Sequence, residues 1–173
     1  MSTFLVSQAR VRQLRPGPLP SRPTGSASQN KPVIYWMSRD QRTADNWALL
    51  HAASQALNLE TKLIVVFCLN PEFLGATIRQ YAFMLQGLAQ VEQKLQQHNI
   101  GFLLRLGDPP TAMAELLRTT DAALLVTDFD PLRIKQNWHK QVLAATAVPV
   151  HQVDAHNIVP CWEASAKLEY AAR

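Results

Sequence analysis

The 173 residues, 47% of them apolar, suffice for one domain with a sizeable core and leave too little chain for two full ones. No apolar run approaches the ~20 residues of a membrane span and the start of the chain lacks a signal-peptide stretch, so a cytoplasmic protein with no membrane partner is expected. The formal charge of +4 belongs to residues 1–31, which hold Arg10, Arg12, Arg15, Arg22, Lys31 and no acid. The remainder sets twelve bases against thirteen acids, a balance unlike that of a domain that grips nucleic-acid phosphates unaided.

In chain order, residues 1–31 are rich in Pro, Ser, Gly and Arg with brief apolar pieces only, and read as a basic arm, mostly extended or disordered. From Pro32 strand and helix signals alternate. "VIYWM" at Val33, "KLIVVFCL" at Lys62, "IGFLLRL" at Ile100, "AALLVT" at Ala122 and "VPVHQV" at Val148 are short, β-branched or continuously apolar, as strands buried on both faces are. Between the first two lies a helix with Trp47, Leu50, Ser54 and Leu57 as its expected inward stripe and Asn58 as its left-handed stop. The next helix carries Tyr81, Met84, Leu85, Leu88, Val91 and Leu95 on one face. "GDPPTAMAELLRTT" starts a third at Asp108 with prolines in its first turn, and "PLRIKQNWHKQVLAA" supplies a fourth. Five strands separated by single helices predict a three-layer α/β sandwich on a parallel, doubly wound sheet.

The six glycines, Gly17, Gly25, Gly75, Gly87, Gly101 and Gly107, build neither GxGxxG nor GxxxxGK[ST]. A nicotinamide dinucleotide or P-loop nucleotide is therefore not expected. After the first strand comes "SRDQRTADNW", in which Ser38, Arg39, Asp40 and Arg42 either hold a polar ligand or form an ordinary capped turn. "VTDFDPLR" ends the fourth strand with Asp128 and Asp130 where a buried strand surfaces, the place where open α/β sheets bind ligands. The five histidines show no ligand spacing, and no metal site is expected. Cys68 and Cys161 are expected to be free thiols.

"VIYWMSRDQRTADNWALLHA", "RQYAFMLQGLAQVEQKL", "VTDFDPLR" and "QVDAHNIVPCWEASAKLEYAAR" together resemble the N-terminal α/β domain of class II cyclobutane pyrimidine dimer DNA photolyases, from about Val33 to the last residue. "RVRQL" in the arm is similar to the opening of that family. The resemblance implies a Rossmann-like domain over residues 32–160 with strand order 3-2-1-4-5, and residues 161–173 as the start of a linker to a helical FAD-binding domain that this chain lacks. In the family, reduced FAD in that second domain donates an electron to a dimer flipped out of damaged DNA and splits it; base flipping is needed because chemistry inside the stack is inaccessible. No catalytic residue is then expected in this chain, and the chain alone is expected to be inactive, with weak DNA binding or none.

The α/β domain of this superfamily can cradle an antenna chromophore, a reduced folate or a deazaflavin. The order implied by the resemblance brings the first and fourth strand ends together, so Met37, Ser38, Arg39, Thr127, Asp128, Phe129 and Asp130 are the candidate antenna cleft. The same acids would serve equally as turn formers beside Arg133. Trp36, Trp47 and Trp138 read as core packing, and Asp154 and His156 as organisers of the turn into the linker. Two other functions remain open: a stand-alone nucleotide-binding module of the stress-protein kind, which needs a glycine loop absent from "TDFDPLRIK", and a non-catalytic interaction domain. A missing second domain also implies an exposed apolar face able to self-associate.

Overall fold

The computed structural model describes residues 6–20 and 31–165. Its strands are β1 (Val11–Arg15), β2 (Val33–Trp36), β3 (Leu63–Leu69), β4 (Gly101–Leu106), β5 (Leu124–Asp128) and β6 (Val150–Val153). The helices are α1 (Trp47–Asn58), α2 (Ile78–Gln97), α3 (Pro109–Thr120), α4 (Arg133–Ala145) and the single turn α5 (Cys161–Ala164). The sheet runs β1-β6-β5-β2-β3-β4, and its parallel part has the expected order. Side chains alternate along β2, and the two faces make the two halves of the core. Val33, Tyr35 and Met37 pack with Ala48, Ala52, Val91 and Leu95 of α1 and α2. Ile34 and Trp36 pack with Met113, Leu117, Trp138 and Val142 of α3 and α4.

The sheet has six strands and is mixed, which corrects the expected five-stranded parallel count. β1 pairs antiparallel with β6, Val11 opposite Val153 and Gln13 opposite His151. Val11 and Leu14 each pack on one of the two core clusters, so these brief apolar pieces suffice to order residues 11–15 once an edge is present, while the rest of the reading of the arm as extended or disordered falls largely on residues 1–5 and 21–30, outside the described residues. That edge lies at the far end of the chain, and local composition carries no trace of it.

Two helix details also differ. α1 turns Ala48, Leu49, His51, Ala52, Gln55 and Ala56 inward, while Leu50 and Leu57 of the expected stripe are exposed. Small alanines let the helix approach the sheet closely, and the larger leucines are left outside. The left-handed residue after α1 is Glu60, with φ 51°, rather than Asn58. The third helix starts as read: the Asp108 carboxylate accepts the Thr111 N–H at 3.2 Å, with Pro109 and Pro110 in the first turn.

The arm also grips the outgoing chain. The Arg10 guanidinium donates to the carbonyls of Asp154 (3.1 Å), Asn157 (2.7 Å) and Ile158 and lies over the Trp47 ring. Trp162 donates its indole N–H to the Ala9 carbonyl at 2.6 Å, beneath the Arg12 guanidinium. Asp154, as read from the sequence, organises this turn, accepting from the backbone N–H groups of His156, Asn157 and Cys161. Arg10→Ala is expected to cost about 2 kcal/mol, as loss of charge-assisted bonds does, and Arg12→Ala under ~1 kcal/mol, since among the described residues its guanidinium stacks on a ring face and makes no ion pair. Urea unfolding of the two variants checks this; equal losses would show that Arg10's three carbonyl contacts contribute nothing.

Candidate functional site

The ends of β2 and β5 are neighbours, with Trp36 opposite Thr127. The gap between them is closed by one side chain. Asp128, fully buried, accepts the Tyr35 hydroxyl at 2.7 Å on one oxygen, and the backbone N–H groups of Ser38 (2.8 Å), Arg39 (2.7 Å) and Asp40 (3.3 Å) on the other. Burial pushes its carboxyl above the usual range, and the Tyr35 bond and the amides oppose that rise. Burial also raises the Tyr35 phenol, with the Asp128 charge adding to it. The carboxylate is thus committed inside the protein.

The other residues of the expected cleft separate. Met37 is buried in the core. Thr127 shares a 2.9 Å hydrogen bond with His139. Arg39 donates to the Phe129 carbonyl at 3.4 Å, and Phe129 meets Trp162 edge to face. Ser38 and Asp130 remain, and both line a cavity one strand further along, over the end of β3.

This cavity of about 320 Å³ is walled by Phe67 and Cys68 of β3, Phe73, Tyr81 and Met84 from the approach to α2 and its first turns, and Lys135 and Trp138 of α4. Its existence follows from a length mismatch. At 1.5 Å per residue α2 is about 30 Å long, whereas β3 spans roughly 23 Å, so the first turns of α2 overhang the sheet edge. Leu88 is accordingly the first buried residue of α2, and Tyr81 and Met84 of its apolar stripe face the cavity instead of the core. The Tyr81 hydroxyl donates to the Asn70 carbonyl (2.7 Å) and accepts the Phe73 N–H (3.1 Å), which fixes the turn at the cavity mouth.

Lys135 is the cation of the site. Its ammonium donates to the Ser38 hydroxyl at 2.9 Å and lies 4.9 Å from the Phe73 ring centre and 4.6 Å from that of Trp138. Burial lowers its pKa, and the charges of Asp130 and Asp128 oppose that shift. Asp130 holds the Leu132 N–H at 3.0 Å. The Cys68 thiol is pushed up to about 12 by burial, so it is protonated at neutral pH. Among the described residues no three His, Cys, Asp or Glu side chains gather as a metal site would require, and no helix is long and apolar enough to cross a membrane.

Lys135, Trp138, Phe73 and Tyr81 are not legible as site residues from local pattern. The one available signal is the Leu132, Lys135, Trp138 spacing at the start of α4, which puts a lysine on an otherwise apolar face. Such a site is an aromatic-lined cavity with the Lys135 ammonium and the Asp130 carboxyl in its lining, suited to an aromatic polar ligand rather than to bond-making by a nucleophile.

Comparisons with known proteins agree with this architecture. Residues 33–173 match the family described as DNA photolyase. The deoxyribodipyrimidine photo-lyase of Potorous tridactylus is 50% identical over 147 residues, covering 84% of this chain and 28% of that protein. The Arabidopsis thaliana deoxyribodipyrimidine photo-lyase is 43% identical over 177 residues, covering 99% of this chain and 34% of that protein. The chain therefore spans about a third of the length of these relatives. Among solved structures, the cryptochrome of Synechocystis sp. PCC6803 superposes with a TM-score of 0.58 at 16% identity, over 66% of this chain and 25% of its own, a likeness of fold. With the match extending from β2 to the last residue, this chain belongs to the DNA photolyase family.

Proposed function

We propose that this chain is the N-terminal, antenna-type domain of a class II cyclobutane pyrimidine dimer photolyase, and that the slot between α2 and α4 holds its light-harvesting chromophore. The observation that carries the reading is the aromatic wall of Phe67, Phe73, Tyr81 and Trp138 around a cavity of about 320 Å³. That volume is at the lower end of ligand sites, about 300–1,000 Å³, and suits one flat ring system, such as that of a reduced folate or a deazaflavin. The slot is too small for a whole dinucleotide, so FAD does not fit it.

A chromophore bound here would supply excitation energy on absorbing light. The chain's own residues would pack the ring against the touching Phe73 and Trp138 side chains, exclude water from it and hold its polar edge at Lys135 and Asp130. On this reading dimer splitting from reduced FAD lies outside these residues, and the 173 residues alone are expected not to repair DNA. Their duplex affinity is weak and comes from the bases of residues 1–31, because a few phosphate contacts give strongly salt-dependent binding. Self-association would use the apolar side chains exposed on α2 and β4, among them Phe83 and Leu106.

The test is the absorption spectrum of the chain purified from its native host. A bound band to the red of the tryptophan band, lost in Trp138→Ala, is expected. A colourless protein that nonetheless takes up FAD and restores thymines in illuminated, dimer-containing oligonucleotide would place the active site in this chain and overturn the reading.

A further inference from the structure

The outer edge of β6 and the turn that follows it are built to hold an extended strand. β1 fills that place here, with Val11, Arg12 and Gln13 opposite Val153, Gln152 and His151 and the Arg10 carbonyl accepting the Asp154 N–H at 2.9 Å. Its side chains fit into separate places along the edge. The Arg10 guanidinium enters a pocket of three carbonyls, those of Asp154, Asn157 and Ile158, with the Trp47 ring as its wall. Val11 and Leu14 go to opposite faces of the sheet, each meeting a different half of the core. Arg15 donates to the Leu143 carbonyl in the last turn of α4, where helix carbonyls lack partners of their own. A Cβ at Gly17 would meet Pro149 at 3.0 Å, and Leu19 packs on the same half of the core as Val11, so the seated unit is residues 6–20.

The acceptor is held in shape from its other side. β6 pairs through its inner edge with β5, and Asp154 holds the carbonyl turn by accepting from the N–H groups of His156, Asn157 and Cys161. An edge of this kind offers main-chain bonds for affinity and pockets at alternate side chains for selection, and the ligand it selects is an extended basic strand. Residues 6–20 carry Arg10, Arg12 and Arg15 and no acid. The acceptor meets those charges with carbonyls and with the faces of Trp47 and Trp162. Every copy of the chain thus carries both the strand and its acceptor. We infer that the edge of β6 is a strand-binding site that takes residues 6–20 of a second copy in exchange for its own, so that two chains pair by trading arms. The contacts are the same within a chain and between chains, and concentration decides between them. β6 lies towards the opposite side of the sheet from β4, so this exchange is separate from any pairing through the apolar side chains of α2 and β4.

The test uses the full 173-residue chain with Cys161→Ser throughout, Cys68 being buried, and two variants, Val11→Cys and Val153→Cys. These positions face each other across the strand pair, within reach of a disulfide, and neither variant closes that bridge alone. The two are unfolded together in urea, refolded by dilution and oxidised. A tether keeps an arm at its own site at an effective concentration on the order of millimolar, so bridged dimers are expected from about one chain in ten after refolding at ~100 μM, and about hundredfold fewer at ~1 μM. Arg10→Ala added to the Val11→Cys chain should lower the yield about tenfold, because its arm then competes with an intact one for the acceptor. Both substitutions in a single chain should close the bridge within it. If that bridge closes while the mixture gives no bridged dimer at ~100 μM, the exchange is overturned, and a yield indifferent to Arg10→Ala overturns the guanidinium pocket. Where the cysteine variants do not fold or the single-chain bridge does not close, light scattering of the unaltered chain decides. Dimers made by refolding at ~100 μM should persist after dilution to ~1 μM, since both arms must detach before the chains part; monomers alone, or dimers that part at once, would overturn the inference.

Discussion

Asp128→Ala is expected to cost more stability than any other single substitution at the carboxyl ends of the strands, about 4 kcal/mol or more. The variant leaves the N–H groups of Ser38, Arg39 and Asp40 and the Tyr35 hydroxyl without their acceptor, in a place that water does not reach. Each buried donor so orphaned costs roughly 1–3 kcal/mol, against a total of about 5–15 kcal/mol for a small domain. A carboxamide in place of the acid keeps the shape and one acceptor oxygen, so Asp128→Asn should lose about half as much. Chemical denaturation of the parent and the two variants measures this. If alanine costs under ~1 kcal/mol, the loop of residues 38–40 is held by something else, and Asp128 is free for a ligand after all.

That carboxylate marks the limit of what local sequence reveals. β2, β3 and β5 are legible because parallel strands buried on both faces must be continuous apolar runs, β4 as an apolar run although it is largely exposed at the sheet's edge, β6 from its β-branched valines, and α3 because Asp108, Pro109 and Pro110 spell out a helix start. β1 is not, since Val11 becomes a strand residue only by meeting Val153 across the chain. The inward face of α1 escapes a hydrophobicity ranking, which favours Leu50 and Leu57 over alanines, whereas close packing on a sheet favours the alanines. At the site, the two acids of "VTDFDPLR" are visible, but their division of labour is not. Asp128 is drawn inward by Tyr35 and the amides of residues 38–40, partners that lie far upstream in the chain and come near only when β2 and β5 pair. Asp130 reaches the slot only because α2 is longer than the strand beside it.

The domain is expected to lose several kcal/mol of stability between neutral pH and about pH 4, a window set by histidines. Burial lowers His51 and His139 from 6.5 to about 4, and lowers His151 as well. His139 shows why the neutral ring is required. Its Nε2 pairs with the Thr127 hydroxyl, and its Nδ1 faces the Gln152 amide nitrogen, a donor, so a proton on Nδ1 would set donor against donor. The His51 and His151 rings, with nitrogens 3.0 Å apart, likewise need one donor and one acceptor between them. A ring with a lowered folded pKa takes up its proton more readily unfolded, so stability falls as pH drops below 6.5 and levels off near 4. The slope is about 1.4 kcal/mol per pH unit for each proton, or about 3 kcal/mol for each of His51 and His139. Asp128 works the other way, because a raised carboxyl favours folding where it is protonated and loses that contribution as pH rises. Asp154, held low by Asn157 and the backbone N–H groups around it, loses its contribution only below the histidine window. Three lowered rings against one raised carboxyl leave the net effect destabilising in acid. Urea midpoints at about pH 7 and about pH 5 should therefore differ, and His139→Gln should flatten the profile by one proton's slope. A midpoint that does not move between those pH values would mean that the rings are solvated, and that the packing of α1 and α4 on the sheet is looser than described.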